Sequence, residues 1–574
     1  MVHALLGRDR MYTIASIPEQ IVPFFSAAVI NKKGKRMTKR YDYIVVGAGS
    51  AGCVLAGRLS EDPSVQVLLL EAGPPDTSVW LHLPIGYGKT MWSTKHNWCL
   101  YTDPDPNMNG RRIYWPRGKT LGGSSAINGL IYIRGQQQDY DHWAELGNTG
   151  WSYADVLPYF IKSESNERGA IPLHGGNGPL KVSDIHHKDE LIEAFLDGAQ
   201  EIGVPRTTDF NGQNQEGAGY YQLTTHKGLR CSTATAYLRP ARRRSNLTVL
   251  SNAQATGLIM DGTRATGVNY RSGNTLHSVQ LNTNGEVLLS AGAIYSPQLL
   301  QLSGIGPAKL LQAHGIPVVA DVPGVGENLQ DHLQIRLGFE CTKPITTNDA
   351  LNTLWGKFHM GMQWLTRREG PLAIGINQGG CFMRALPNES STPDIQFHVA
   401  TLSADMAGGK VHPYSGFTFS VCQLRPESRG HVRIKSIDPL ETPEIQPNYL
   451  DTELDRRTTV AGVKVARDIA RTGAMRPYVK REVKPGPQAE TDEDFLAFAR
   501  DTGATIFHPS GTCRMGPDGD AMAVLDPQLR VRGVQGLRVI DASSMPTLIS
   551  GNTNAPVIMM AEKVVDLMRE EKRQ

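Results

Sequence analysis

Twenty residues near the start of the chain, YDYIVVGAGSAGCVLAGRLS from Tyr41, leave few folds open. A short β-rich run ends in glycines, and helix-forming Ala, Leu and Arg take over at once. After a turn at Asp62-Pro63 a second buried strand follows in VQVLLLEAG. Strand, glycine turn, helix and strand make the opening of a βαβ unit, and so of a parallel sheet covered by helices. The glycines are Gly47, Gly49 and Gly52, in G-x-G-x-x-G spacing. They let the backbone turn tightly and approach a pyrophosphate, which the helix N-terminus, at Ser50 and Ala51, attracts. Glu71, 24 positions after Gly47 and followed by Ala72, ends the second strand. An acid there accepts hydrogen bonds from a ribose. These residues predict a dinucleotide site and leave NAD and FAD both open.

At 574 residues the chain is too long for one core, so two or more domains are expected. A formal net charge of +3, without a long basic run in the body, gives no reason to expect nucleic acid as a partner or anionic membrane as the main one. Seven cysteines (53, 99, 231, 341, 381, 422 and 513) are scattered and never spaced C-x-x-C. That is neither a disulfide framework nor a zinc site; no metal is expected, and a reducing, cytoplasmic setting is. The longest apolar run, IVPFFSAAVI at 21–30, is ten residues with a proline, too short to span a bilayer. Residues 1–40 read as an N-terminal extension, upstream of a start at Met37.

The nucleotide-type pattern extends over 41–175, 230–335 and 507–574: strands return from about 246, a helix follows at 297–302, and LRVIDASSMP reads as a late strand before a closing helix. Residues 176–229 and 336–506 differ. Strand-like stretches such as DIQFHVA and FTFSVCQL alternate there with helices around 453–472 and 492–500. The expected architecture is therefore α/β, a Rossmann-like domain with an inserted α+β substrate domain built on an antiparallel sheet.

A second glycine-rich segment, RGKTLGGSSAINGLIYIRG at 117–135, narrows the cofactor. Gly118, Leu121, Gly122, Gly123 and Ser124, continued by Asn128 and Gly129, offer backbone N–H groups and a hydroxyl able to hold phosphate or a ring edge. A NAD enzyme rarely needs such a segment so close to the first.

With this segment, and with GAIYSPQLLQLSGIG at 292–306, HPSGTCRMG from His508 and GNTNAPVIM from Gly551, the chain resembles the glucose–methanol–choline oxidoreductase family over 41–570. The resemblance implies FAD and oxidation of an alcohol by hydride transfer to flavin N5, with a quinone or another carrier as electron acceptor. It places His508 at the family's catalytic histidine and Asn552 at its partner position. Asp541, Ala542, Thr553 and Asn554 fall at flavin-ring contacts, and Ala255 where backbone atoms hold adenine. The residue types suit the chemistry, since an imidazole titrates near neutrality and can take the hydroxyl proton, while an amide can steady the developing alkoxide.

Two departures matter. Ile127 stands where some choline-oxidising relatives attach FAD covalently through a histidine, so non-covalent FAD is expected. In LQDHLQIRL, Gln334 replaces the acid that meets choline's trimethylammonium group, two residues after His332. Trp92, Trp98 and Trp355 could receive such a cation but read as packing residues. The expected substrate is therefore an uncharged primary alcohol, bound at Gln334. Choline dehydrogenase, an oxygen-using oxidase and a non-redox hydroxynitrile lyase stay as alternatives. A photodecarboxylase reading fails on His508, and Cys422 reads as a buried strand residue. Peripheral membrane association stays open, because a quinone would sit in the bilayer at the inner face of the membrane; the oligomeric state is not legible.

Overall fold

The protein is described by a computed structural model over residues 39–406 and 408–573, with strand pairs at Val29–Ile30 and Arg36–Met37. Most of the extension read over 1–40 lies outside the described residues.

The predicted βαβ opening is present: strand Arg40–Val46, helix Ser50–Leu59 and strand Val67–Leu70. All of Val67–Leu70 is buried, as a strand covered on both faces must be. Parallel pairing runs Leu247–Leu250, Val67–Leu70, Arg40–Val46, the C-terminal end of Thr275–Leu289, then Leu537–Val539. Numbered along the chain, that order is 3-2-1-4-5, and it reverses between the first and fourth strands. In open parallel sheets a ligand crevice forms at such a reversal, beyond the carboxyl ends of the strands.

The fourth strand is unusually long, because its N-terminal half pairs antiparallel with Arg264–Ser272, which pairs in turn with Gln254–Asp261. The helix foreseen at 297–302 begins earlier, at Gly292, and ends at Leu302. The closing helix Asn554–Glu571 packs on the first helix. Glu562, fully buried on the closing helix, pairs with Arg58 at 2.8 Å and accepts from the Tyr237 hydroxyl at 2.9 Å.

A second sheet is antiparallel, in the order Val479–Lys484, Leu333–Cys341, Gly416–Gln423, Ile395–Ala400, Asn377–Met383 and Gly217–Tyr220. Its strands alternate strictly. Ile335, Leu337, Phe397, Val399, Phe419 and Val421 face a core completed by helices Glu190–Glu201 and Glu453–Arg471. The opposite face carries Gln334, Arg336, Gln396, His398, Ser420 and Cys422, and it is this polar face that turns toward the nucleotide-type sheet. The strand-like stretch HVRIKS at 431–436 does not join this sheet; only His431–Arg433 is strand, paired with Glu444–Gln446.

Candidate active site

A cavity enclosing about 2290 Å³, part of it open to solvent, lies between the carboxyl edge of the parallel sheet and the polar face of the antiparallel one.

Its first end is built from backbone. Gly47 sits at φ +96°, and a Cβ there would lie 2.5 Å from the Ser290 carbonyl oxygen. A Cβ on Gly52 would lie 1.8 Å from the Gly47 carbonyl, and one on Gly123 2.6 Å from the Gly49 Cα. Only glycine permits these approaches. Gly49 caps the first helix with no side chain on its amides, which leaves them able to receive an anion. Glu71 accepts from the N–H groups of Ala48 and Gly73, both at 2.8 Å, and so fixes the glycine turn. Burial pushes its carboxyl up to about 7.

The cavity wall brings together Gly47, Gly49, Ser50, Ala51, Glu71, Ala72, Gly118, Gly123, Ser124, Asn128, Gly129, Ala255, Asp541, Ala542, Thr553 and Asn554. Three expected residues do not line it. Gly52 packs beneath Gly47, Leu121 is in the core, and Gly122 donates its N–H to the Ala48 carbonyl at 2.8 Å. These three shape the cradle from behind. Asp541 accepts from the Gly292 amide at 2.8 Å and the Ser296 hydroxyl at 2.6 Å, while Ser50 donates to Asn554 at 2.8 Å.

The second end holds His508 and Asn552. Phe507, at φ +74°, occupies a region bulky side chains rarely enter, with its carbonyl held by Arg117 at 2.6 Å. Asp331 accepts the His508 N–H at 2.7 Å and also the Tyr449 hydroxyl. The local backbone is thus fixed before the imidazole does anything.

The ring itself is set by a residue to which the sequence had assigned no role. His332 contacts the Leu424 carbonyl through Nε2 at 2.9 Å and His508 Nδ1 through its own Nδ1 at 2.9 Å. A carbonyl only accepts, so His332 Nε2 carries the proton and its Nδ1 is the acceptor. His508 must then donate from Nδ1, which leaves Nε2 unprotonated and an acceptor. The Asn552 amide donates toward that atom at 3.2 Å, and Asn552 Oδ1 accepts from Gln396 at 3.3 Å. One backbone carbonyl therefore dictates which nitrogen of His508 is basic. Burial, with His332, His398 and Arg117 nearby, holds the His508 imidazole well below the usual range. Burial likewise lowers His332 to about 4 and His398 to about 3. All three rings are neutral at pH 7.

Two sequence-derived residues are placed differently from each other. Gln334 lines the cavity and donates to the Thr505 carbonyl at 3.3 Å. Trp355, expected to pack, is instead 73 % exposed on a surface helix. Trp92 stacks on Tyr114, and Trp98 lines the cavity with the Lys119 ammonium 4.2 Å above its ring, so that face is already taken by a cation. Cys422 is buried, as expected, and all seven cysteines are free. His398 and Arg336 also line the cavity. For His398 the polar–apolar alternation of DIQFHVA was a usable signal; for His332 there was none.

Comparison with known proteins decides the family. The N- and C-terminal GMC oxidoreductase models match residues 41–334 and 426–561. The chain belongs to the GMC oxidoreductase family. It is 43 % identical over 571 residues to the mitochondrial choline dehydrogenase of Homo sapiens, covering 98 % of this chain and 95 % of that one. To the alcohol dehydrogenase [acceptor] of Pseudomonas putida it is 42 % identical, covering 92 % and 95 %. The crystal structure of pyridoxine 4-oxidase from Mesorbium loti superposes with a TM-score of 0.83 at 29 % identity, over 92 % of this chain and 99 % of that one. GMC oxidoreductases are FAD flavoproteins, and the residues here fit that group: an uncapped helix N-terminus, a cradle in which added Cβ atoms would collide, and Gly129, whose added Cβ would meet only open space. Ile127, on the cavity wall, offers no nucleophile for a covalent link.

Replacing His332 by Phe removes the acceptor from His508 Nδ1 and frees the ring to adopt the other tautomer. The expected result is a ten-fold or larger loss of kcat with FAD retained, and a changed pH–rate profile; an unchanged profile and rate would show that the tautomer is set elsewhere. The buried neutral rings also predict a pH dependence of stability. An unfolded histidine binds a proton below about 6.5, whereas these bind one only at lower pH. Their contribution is fully present above about pH 6.5 and is lost progressively as pH falls through about 4 and about 3. Melting temperature measured from pH 7.5 down to 5 checks this, and the H332F variant should lose less.

Proposed function

We propose that this GMC oxidoreductase is an alcohol dehydrogenase that converts a primary alcohol to its aldehyde, with His508 as general base. The observation that carries the reading is the unprotonated Nε2 of His508, which accepts from the Asn552 amide on the cavity wall. FAD, when bound, supplies the acceptor for the electron pair and hydrogen that leave the carbinol carbon. The chain's own residues do the rest. His508 Nε2 takes the hydroxyl proton as the C=O bond forms, and the depressed basicity of the ring means that it is already unprotonated at neutral pH. Asn552 donates to the oxygen as charge develops on it. Of the flavin-contact residues, Asp541 braces Gly292 and Ser296, Asn554 braces Ser50, and Ala255 brings backbone to the wall at the adenine end.

Choline is the less favoured substrate. Gln334 is neutral, Lys119 covers Trp98, and the cavity's carboxylates, Glu71 and Asp541, lie among the cofactor-facing residues. Under anaerobic conditions the yellow protein should bleach with medium-length primary alcohols and much more slowly with choline. Bleaching by choline alone would remove the substrate assignment, and no bleaching by any alcohol would remove the reaction.

For the electron acceptor we infer a quinone reached at a membrane surface, with the protein at its cytoplasmic side. No helix among the described residues is long and apolar enough to cross a bilayer. Helix Leu354–Arg367 nevertheless presents Leu354, Trp355, Phe358 and Leu365 at 86, 73, 57 and 61 % exposure. Lys357, Arg367 and Arg368 are exposed beside them, and no acid occurs from 354 to 368. Aromatic and aliphatic residues on one side with cations beside them suit the interface of an anionic bilayer. The chain then runs to Ile376 and Asn377 on the cavity wall. Phosphatidylglycerol vesicles should carry the protein in flotation, and replacing Leu354, Trp355 and Phe358 together by Ser should cut that binding ten-fold or more; equal binding by both proteins would refute the assignment.

A further inference from the structure

Arg336 lines the cavity, and the proposed alcohol oxidation does not use it. It lies on strand Leu333–Cys341 directly opposite Ser420, which in turn lies opposite His398. The three form a row across the antiparallel sheet, and all line the cavity. Two strand spacings separate the backbones of Arg336 and His398, roughly 10 Å. His398 is at the His508 end, since it is among the groups that lower that imidazole. Arg336 therefore stands on the cavity wall at a distance from the reacting oxygen.

Its guanidinium has no partner among the described residues. Nε is buried without a hydrogen-bond acceptor, and no ion pair or hydrogen bond engages the terminal nitrogens. The ionisable group that acts on it electrostatically is the Tyr87 phenol, which burial keeps protonated. Arg230, which also acts on Tyr87, is likewise without a carboxylate: it donates to Asn128 Oδ1 at 2.6 Å and to the carbonyls of Ser125 and Pro84. At Gln334, one step along the same face, there is an amide in place of an acid. A half-buried cation with no carboxylate beside it is costly, and folded proteins rarely keep one that nothing repays.

Resting on the proposed alcohol oxidation, we propose that Arg336 receives the carboxylate of an anionic substrate, so that the enzyme's preferred substrates are alcohols bearing an acidic group remote from the carbinol. A guanidinium offers paired N–H donors in a planar fork, which match a carboxylate in two parallel hydrogen bonds. Ser420, between Arg336 and His398, lets the intervening chain lie flat against the sheet. The same charge acts against choline, whose quaternary ammonium would approach two unneutralised guanidiniums. This converts the loss of an acid at position 334 from a neutral absence into a reversed preference.

The test compares wild type with Arg336→Gln, both purified as yellow holoenzyme. The anaerobic substrates are ω-hydroxyhexanoate, its methyl ester and hexanol. Wild type should oxidise ω-hydroxyhexanoate with kcat/KM at least ten-fold above the neutral pair. Arg336→Gln should lose that advantage while its kcat/KM for hexanol stays within three-fold. Hexanoate, which cannot be oxidised, gives a reading independent of turnover. It should perturb the flavin absorbance of wild type and bind at least ten-fold more weakly to Arg336→Gln. Equal hexanoate binding by the two proteins would overturn the proposal, as would an equal fall toward all three alcohols. Loss of FAD from the variant would overturn it too, by assigning Arg336 to the cofactor. If wild type oxidises neutral alcohols without favouring the acid, only this proposal fails. If hexanoate binds through Arg336 and no alcohol bleaches the flavin, the oxidation fails and the anion site stands. A form of the substrate carrying phosphate in place of carboxylate, if preferred, would reassign the anion and overturn the carboxylate assignment.

Discussion

The structure depends on a seam from which side chains have been removed. Where the first strand ends, Gly47 passes within van der Waals reach of Ser290 just past the fourth strand, Gly52 backs onto Gly47, and Gly123 comes in against Gly49. Three separate stretches of chain converge there at distances that a single methyl group would forbid. What the seam leaves is a surface of amides, and a buried surface of amides asks for an anion with many acceptors. The cavity's position and its capacity for a pyrophosphate both come from this one packing constraint. Glu71 secures it by accepting from Ala48 in the glycine turn and from Gly73 just past the second strand.

Across the cavity the logic is opposite, since the antiparallel sheet contributes side chains. Strict alternation gives it one face of Phe, Ile, Leu and Val for its own helices and one face of Gln, His, Ser and Arg for the cavity. Three neutral histidines are kept there at a cost that grows as pH falls. Two of them, His332 and His508, are ordered by an acceptor that cannot be protonated, the Leu424 carbonyl. A carboxylate in that position would also orient the chain, but it would raise the basicity of the imidazoles and favour their charged form. A carbonyl orients them without doing so, which suits a base that must be empty of its proton when the alcohol arrives.

Much of this was legible in the sequence, and the division follows physical range. The βαβ opening, the glycine spacing, the acid ending the second strand and the closing helix are local patterns, each readable within a few dozen residues. The assignment of His508 and Asn552 rested on resemblance, because 44 residues of chain separate them and only folding brings them to 3.2 Å. His332 was hidden: its partner histidine is 176 positions away and its carbonyl partner 92. Arg336 was visible as a letter in LQDHLQIRL, but its lack of a partner is a property of the whole surrounding fold. Trp355 was misread because an aromatic in an amphipathic helix has the same sequence pattern whether that face meets a core or solvent.

The pairing of Arg58 with Glu562 spans 504 positions. At roughly 5 to 20 residues per second, a ribosome needs about 25 to 100 s to make the second partner after the first. Throughout that interval the first helix lacks the closing helix that covers it, and the fourth strand lacks Leu537–Val539 on its outer side. The nucleotide-type domain thus cannot finish while the chain is being made, although its first elements emerge at the outset. The antiparallel sheet, encoded almost wholly between those ends, can. Synthesis therefore orders assembly in reverse of the reading order: the inserted unit is complete first, and the cofactor cradle closes only when the last forty residues arrive. A chain cut short anywhere before Asn554 would leave a nascent parallel sheet with an open apolar flank, a substrate for chaperones and proteases rather than a smaller enzyme.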